Sequence, residues 1–115
     1  MKSRIMYIEN KGIDGISGPA RIGRVTLKNS GKTLYYKGQR FNPLNGRGFK
    51  SNYFEAKTRE HYWISGCKKR GGDRLYSGTI EIDDDVREEY WTEIRNLPQC
   101  KDQKIIKDTG KYSRN

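Results

Sequence analysis

The sequence of 115 residues predicts a mainly β (α+β) fold. We expect a small, partly open antiparallel barrel or a strongly curved sheet of about six strands, with one C-terminal amphipathic helix. Short runs in which apolar and polar residues alternate recur up to residue 83, as in half-buried strands. Clusters of Gly, Asn and Pro separate these runs and indicate turns. The apolar spacing changes to that of a helix only after them.

The run SRIMYIE near the N-terminus predicts the first strand. Successive side chains of a strand point to opposite faces, so Met6 and Ile8 share one face and Ile5 and Tyr7 the other. A strand with apolar residues on both faces is typical of the inside of a protein. The glycine-rich segment 10–20 that follows is expected to be a long loop.

A hairpin is the next predicted element. Residues 22–28 alternate cleanly, residues 29–32 (NSGK) form a turn, and residues 33–37 return as the second strand. The inward-facing residues of its first strand are Val25 and Leu27. After a second Gly- and Asn-rich stretch, residues 50–56 form a further strand.

The segment YWISGCKKRGGDRLYSGTIEID predicts a second hairpin. Residues 61–65 form one strand, residues 75–83 form its antiparallel partner, and residues 67–74 form the connecting turn. In the second strand Ile80 and Ile82 are expected to face the core.

One amphipathic helix is predicted over residues 84–97. Apolar residues spaced by four, four and three fall on one helix face: Val86, Tyr90, Ile94 and Leu97. Asp85 followed by Glu88 resembles a capping box, and Pro98 ends the helix.

These elements predict a single domain over residues 1–97 and a basic, mobile tail over residues 98–115. About six short strands and one helix suit an SH3-like or OB-like barrel. A chain of this length is expected to bury roughly two-thirds of its unfolded surface around one core.

The net charge of +10 is unevenly distributed. Residues 1–50 carry eleven Lys and Arg against only Glu9 and Asp14, a net charge of +9, whereas residues 83–97 carry −4. A positive field confined to one part of a protein attracts polyanions to that side.

The two cysteines, Cys67 and Cys100, match no metal-binding spacing, and we expect free thiols in a reducing cytoplasm. The N-terminus is too polar for a secretory segment, and no run approaches the ~18 apolar residues of a membrane helix. Residues 31–33 (GKT) lack the earlier glycine and the following helix of a phosphate-binding loop. The sequence therefore predicts a cytoplasmic protein with no membrane, metal or cofactor.

His61 is the only histidine of the chain, and Cys67 is followed by three cations. Cations near a thiol favour its thiolate, so a small enzyme that uses Cys67 is one hypothesis. In a strand the two residues lie about 20 Å apart, too far for a catalytic pair. We therefore expect an ordinary thiol and no catalytic residue.

Cations beside aromatic rings form the remaining candidate site, because sheet and barrel modules hold single strands with such residues. The set comprises Arg40, Arg47, Lys50, Tyr53, Tyr62, Trp63, Lys68, Lys69, Arg70, Arg74 and Tyr76. If Ile64 faces the core, Trp63 faces outward, and an exposed Trp favours a binding face.

The sequence thus predicts a non-catalytic binding module that contacts nucleic acid or another polyanion through a basic face. The alternative is a protein–protein interaction or regulatory module that uses exposed aromatics, and a small enzyme ranks third. The oligomeric state is not predicted.

The motifs MKSRIMYIE, GPARIGRV, SGKTLYY, EHYWISGCKKRGGDRLYSG and DVREEYWTEIR resemble a family of small, uncharacterised bacterial proteins of about this length. The similarity covers residues 1 to about 96. Some members carry the automatic name 1-deoxyxylulose-5-phosphate synthase, a large, multidomain enzyme that uses thiamine diphosphate. This chain is far too short for that enzyme and has no matching cofactor motif, so we interpret the name as a misassignment. The resemblance implies no functional residues.

Overall fold

A computed structural model describes residues 2–12, 18–28, 32–46, 51–74 and 77–110. It contains eight strands: β1 (Lys2–Gly12), β2 (Ala20–Lys28), β3 (Thr33–Tyr36), β4 (Gln39–Pro43), β5 (Tyr53–Glu55), β6 (His61–Gly66), β7 (Gly78–Ile82) and β8 (Ile105–Asp108). The first six form an antiparallel barrel in the order β1-β6-β5-β4-β3-β2, and the pairing of β2 with β1 closes it. The prediction of a mainly β fold with a small barrel is confirmed.

The first strand separates two hydrophobic cores, as its two-sided pattern predicts. One face of β1 contributes Met6 and Ile8 to the barrel interior, and the other contributes Ile5 and Tyr7 to a core outside the barrel. The interior also holds Val25, Leu34, Tyr36, Phe41, Tyr62 and Ile64. The outer core also holds Ala20, Ile22, Ile80, Ile82, Val86, Tyr90 and Trp91.

The hairpin of β2 and β3 is confirmed by the pairing of Leu27 with Leu34, although most of its predicted turn lies outside the described residues. A second, unpredicted hairpin follows at once. Lys37 and Gly38 both take positive φ, +48° and +78°, which is the two-residue turn that matches the twist of paired strands. This turn leads into β4, whose Asn and Pro residues read as loop in the sequence.

The predicted hairpin of residues 61–65 and 75–83 is wrong, although both strands exist. Strand β6 pairs with β1 and β5, whereas β7 runs parallel to β2 and antiparallel to β8. Alternation specifies which face of a strand is buried but not which strand lies beside it. The eleven-residue β1 pairs with both β2 and β6, so the edge of β6 that β7 would need for a hairpin is already occupied by β1. Residues 67–74 therefore belong to a crossover between β6 and β7 and not to a tight turn.

Strand β7 buries Ile80 and Ile82 as predicted. Its partner β8 lies in the segment that we expected to be a mobile tail, and the sequence does not predict this strand. Ile105 is 48% exposed on β8, so the strand lacks the apolar alternation of a buried element. Residues 111–115 of the predicted tail lie outside the described part of the chain.

The helix is shorter than predicted and covers residues 84–94. It begins as a 3-10 turn at Asp84–Val86, continues as one α turn at Arg87–Glu89 and ends as a π turn at Tyr90–Ile94. The N–H of Arg95 donates to the carbonyl of Tyr90, five residues back.

Two details of the predicted helix are therefore wrong. The wider π turn moves later residues off the apolar face, and Asn96 leaves the helix at φ +55°, so Leu97 is 38% exposed. The cap residue is Asp83 and not Asp85, and its carboxylate makes no capping bond because it contacts other side chains. Within the described residues, no helix is both long and apolar enough to cross a membrane.

Candidate functional site

Strands β4, β5 and β6 present a continuous outer surface on the barrel. Directly paired residues of antiparallel strands point to the same side, and the pairs Asn42 with Phe54 and Phe54 with His61 link the three strands. Because Phe41 and Tyr62 point into the barrel, these residues point outward. The outward set, named the β4–β6 face, comprises Arg40, Asn42, Phe54, His61, Trp63 and Ser65.

Trp63 lies outward on β6, because Ile64 next to it is buried in the barrel. Its side chain is 36% exposed, whereas the other tryptophan, Trp91, is 5% exposed. The indole Nε1–H donates to Ser65 Oγ at 3.1 Å, two residues further along the same face. This bond holds the ring close to the strand. The sequence predicts that Trp63 is exposed if Ile64 is buried, and the structure confirms this prediction.

Phe54 carries a cation above its ring. The guanidinium carbon of Arg59 lies 5.8 Å from the ring centroid of Phe54, within the distance of a cation–π contact. Arg59 adopts φ +66°, a left-handed conformation that costs a residue other than glycine about 1 to 2 kcal/mol. The turn between β5 and β6 thus keeps Arg at a position that Gly or Asn would occupy more easily.

The β4–β6 face carries one positive side chain, Arg40, and no negative one, while the adjoining β5–β6 turn carries both Arg59 and Glu60. Every residue of these three strands is described, and no acidic residue occupies an outward position. Arg40 pairs with Tyr35 on β3, and Lys28 Nζ lies 5.6 Å from the Tyr35 ring centroid. Arg40, Arg59 and Lys28 form no ion pair within the described residues. Their charges remain available to an anion.

The acidic segment 81–93 lies on the opposite side of the barrel. The helical segment packs over β1, β2 and β7, and β2 is three strands away from β5 in either direction. There Arg24 pairs with Glu89 at 2.7 Å, and Arg21 pairs with Asp83 at 2.7 Å. Several cations of the basic N-terminal half are therefore neutralised within the protein.

Asp83 is the centre of a buried polar contact on that opposite side. Tyr36 Oη donates to Asp83 Oδ2 at 2.5 Å, and burial together with this bond raises the pKa of Tyr36. Gly23 makes room for this contact, since an added Cβ would lie 2.5 Å from Asp83 Oδ2 and from Tyr36 Cε1. A cleft of about 580 Å³ beside it has both Lys104 and Asp85 in its wall.

Arg74 is buried and is not on an exposed basic surface. Its Nη2 lies 3.6 Å from Glu9 Oε2, which also lies 3.1 Å from Lys11 Nζ, while Tyr7 Oη donates to the other oxygen of Glu9. Burial and the neighbouring Glu9 raise the pKa of Tyr7. Because Glu9 pairs with Trp63 across β1 and β6, this contact places Arg74 along one edge of the β4–β6 face.

Two carboxylates hold residues 68–73 of the crossover. Asp108 on β8 accepts the N–H of Asp73, and Asp73 accepts the N–H of Lys68 and lies 3.4 Å from Arg95 Nη2. Burial raises the pKa of Asp73. Gly72 is needed here, because an added Cβ would collide with the Asp108 carboxylate.

The predicted site residues divide into four groups. Arg40 and Trp63 lie on the β4–β6 face, and Lys68, Lys69 and Arg70 are exposed on the crossover. Tyr62 is buried inside the barrel, Tyr53 packs against the same core, and Arg74 is buried beside Glu9. Arg47, Lys50 and Tyr76 lie outside the described residues.

Four residues of the β4–β6 face were not predicted: Asn42, Phe54, His61 and Ser65. Arg59 and Lys28 beside it were not predicted either. Alternation on β6 gives the position of His61, since it is two residues from Trp63. Phe54 and Asn42 follow only once the register of β4 and β5 is known.

Cys67 has neither the partner nor the environment of a reactive thiol. Its Sγ lies 3.8 Å from the carbonyl oxygen of Ile5, and burial raises its pKa to about 12, with Asp73 adding to the effect. His61 Nδ1 lies 3.2 Å from Ser51 Oγ instead. Among the described residues, no group of three or more His, Cys, Asp and Glu could hold a metal ion.

Comparison of the chain with protein-family models, curated proteins and solved structures found no match. The resemblance of residues 1–96 to small bacterial proteins therefore stays a prediction, and the function is argued from the chain itself.

Proposed function

We propose that this protein is a non-catalytic binding module that contacts nucleic acid or another polyanion through the β4–β6 face. The observation that carries the proposal is the exposed Trp63 on a face that has Arg40 and no outward carboxylate on its three strands, with Arg59 and Lys28 beside it. Cations that contact phosphates and rings that stack on bases are the two means by which β modules hold nucleic acids.

The electrostatic part of this contact is expected to be modest. Arg40, Arg59 and Lys28 have no acidic partner among the described residues. Three phosphate contacts give a salt slope of about −2 for a single strand and about −2.7 for a duplex. Raising the salt concentration about fourfold should then weaken binding roughly 15- to 40-fold.

A labelled oligonucleotide titrated with the protein at several salt concentrations tests the proposal by fluorescence anisotropy. The double variant Arg40→Ala and Arg59→Ala should bind more weakly and reduce the salt slope by ~1.4 for a single strand and ~1.8 for a duplex. Lys101→Ala removes an exposed cation far along the chain and serves as the matched control. Absence of binding at low salt would refute the proposal.

The β8 edge favours a second function, a protein-interaction module. Among the described residues β8 pairs only with β7, and its Ile105 is largely exposed. An unpaired strand edge with an apolar residue can accept a strand from a partner. Under this alternative, Ile105→Lys should abolish a partner interaction that persists at moderate salt, whereas Trp63→Ala should not affect it.

A further inference from the structure

We infer that the β4–β6 face selects single-stranded over double-stranded nucleic acid by stacking bases on Trp63. The inference rests on the proposed function and specifies its ligand. A face that bound phosphates alone would accept a duplex, a single strand or a sulfated polysaccharide according to charge. The aromatic residues on this face add a contact that only unpaired bases can make.

The position of Trp63 favours stacking. The bond from its Nε1 to Ser65 Oγ holds the indole along the strand before a ligand arrives, and 36% of the side chain stays exposed. Ordering a side chain in advance lowers the entropy that binding must overcome. Glu9, which pairs with Trp63 on β1, is buried against Lys11 and does not present its charge to a ligand.

The dimensions of the face suit a short single strand. His61 is two residues from Trp63, about 6.6 Å along β6, and Asn42 is two strands away, about 10 Å across the sheet. Sheets with exposed aromatics over a comparable area stack two or three bases. Arg59 above Phe54 places a cation at the margin, where a phosphate of such a strand would pass.

The shape of the face disfavours a duplex. Reading a major groove requires an element that enters it, an α-helix or a two-stranded ribbon. The β4–β6 face is the convex wall of a closed barrel, and the bases of a duplex are stacked on one another and closed to Trp63. A duplex could contact only the cations, without any gain from the aromatic residues.

Intrinsic tryptophan fluorescence provides a direct test, because Trp63 is exposed and Trp91 is buried with its Nε1 bonded to the carbonyl of Gln103. The protein is titrated with a single-stranded oligothymidine, a duplex of equal length and heparin at one salt concentration. We expect the single strand to bind about tenfold or more tightly than the duplex and to quench emission, which heparin should not do.

Trp63→Ala should weaken binding of the single strand about 5- to 100-fold and leave heparin binding unchanged. Trp63→Tyr should restore most of the affinity, since a phenol ring also stacks. The pair separates stacking from general damage to the fold, and far-UV circular dichroism checks that each variant is folded.

The possible outcomes separate the two proposals. Equal binding of single strand, duplex and heparin, or unchanged binding by Trp63→Ala, would overturn the inference while leaving polyanion binding in place. Binding to none of the three ligands at low salt would overturn both.

Discussion

Arg59 allows binding and stability to be separated, because the structure gives its side chain and its backbone different roles. The side chain lies over Phe54 and forms no ion pair with the described residues, and the backbone N–H donates to the carbonyl of Glu55 at 2.9 Å. Arg59→Gly and Arg59→Ala both remove the guanidinium and keep this hydrogen bond. They differ in the cost of the left-handed conformation at φ +66°.

The magnitude of the difference follows from that backbone angle. A residue with a Cβ pays about 1 to 2 kcal/mol in the left-handed region, and Gly avoids this cost. Gly also lowers the stability of the protein by about 0.4 to 1 kcal/mol, because it raises the conformational entropy of the unfolded chain. Each variant also loses about 0.5 kcal/mol from an exposed cation–π contact. We therefore expect Arg59→Gly to be more stable than Arg59→Ala by about 0.5 to 1 kcal/mol.

Urea denaturation of the two variants, followed by circular dichroism, measures the stability difference, and anisotropy with a labelled oligonucleotide measures binding. Both variants should lose the same severalfold affinity although their stabilities differ. Equal stability of the two variants would show that the turn does not hold a left-handed residue there. Wild-type affinity in both would remove Arg59 from the binding surface.

Two further predictions concern the packing and the thiol. Gly23→Ala should destabilise the protein by about 1 to 3 kcal/mol in urea unfolding, because the added Cβ overlaps Tyr36 and Asp83. The control Gly66→Ala meets only the flexible end of Arg4 and should change stability by less than about 0.5 kcal/mol. Equal effects of the two variants would contradict the close approach of Tyr36 and Asp83 to Gly23. Cys67 has a pKa of about 12 against an ordinary 8.5, so it should be almost entirely thiol at pH 8. In a Cys100→Ser variant, Cys67 should react with iodoacetamide at least ~100-fold more slowly than a free thiol at that pH. Its rate should rise about tenfold for each unit by which the pH is raised. Rapid alkylation near neutral pH would instead support the enzyme hypothesis.

The sequence predicts which face of a strand is buried better than it predicts which strand lies beside it. Apolar residues on both sides of β1 indicate an inner strand, and the structure uses them for two different cores. The same alternation on β6 and β7 suggests a hairpin that does not form, because nothing local shows that β1 is long enough to pair with β6 along its edge. The end of the helix is equally hidden, since the π turn at Tyr90–Ile94 depends on packing and not on apolar spacing.

The site was predictable only where it depends on alternation. Trp63 follows from the burial of Ile64, and by the same rule Tyr62 lies inside. The burial of Arg74 could not be predicted, because it depends on Glu9, a residue far away in the chain. The contact of Arg59 with Phe54 depends on a positive φ at Arg59, which the residue type does not indicate.

The structure also changes the meaning of the charge asymmetry. A net charge of +9 over residues 1–50 suggests a large basic surface, yet Arg21, Arg24 and Lys37 have acidic partners in the segment 81–89. Part of the asymmetry therefore links β7 and the start of the helical segment to the barrel, and a smaller group of cations lies around the β4–β6 face. A surface of that size predicts a shallow salt slope of about −2 to −3, whereas use of the whole basic half would give about −6 or steeper. A measured slope beyond about −5 would show that cations outside this face, such as Lys68, Lys69 and Arg70, contribute to binding.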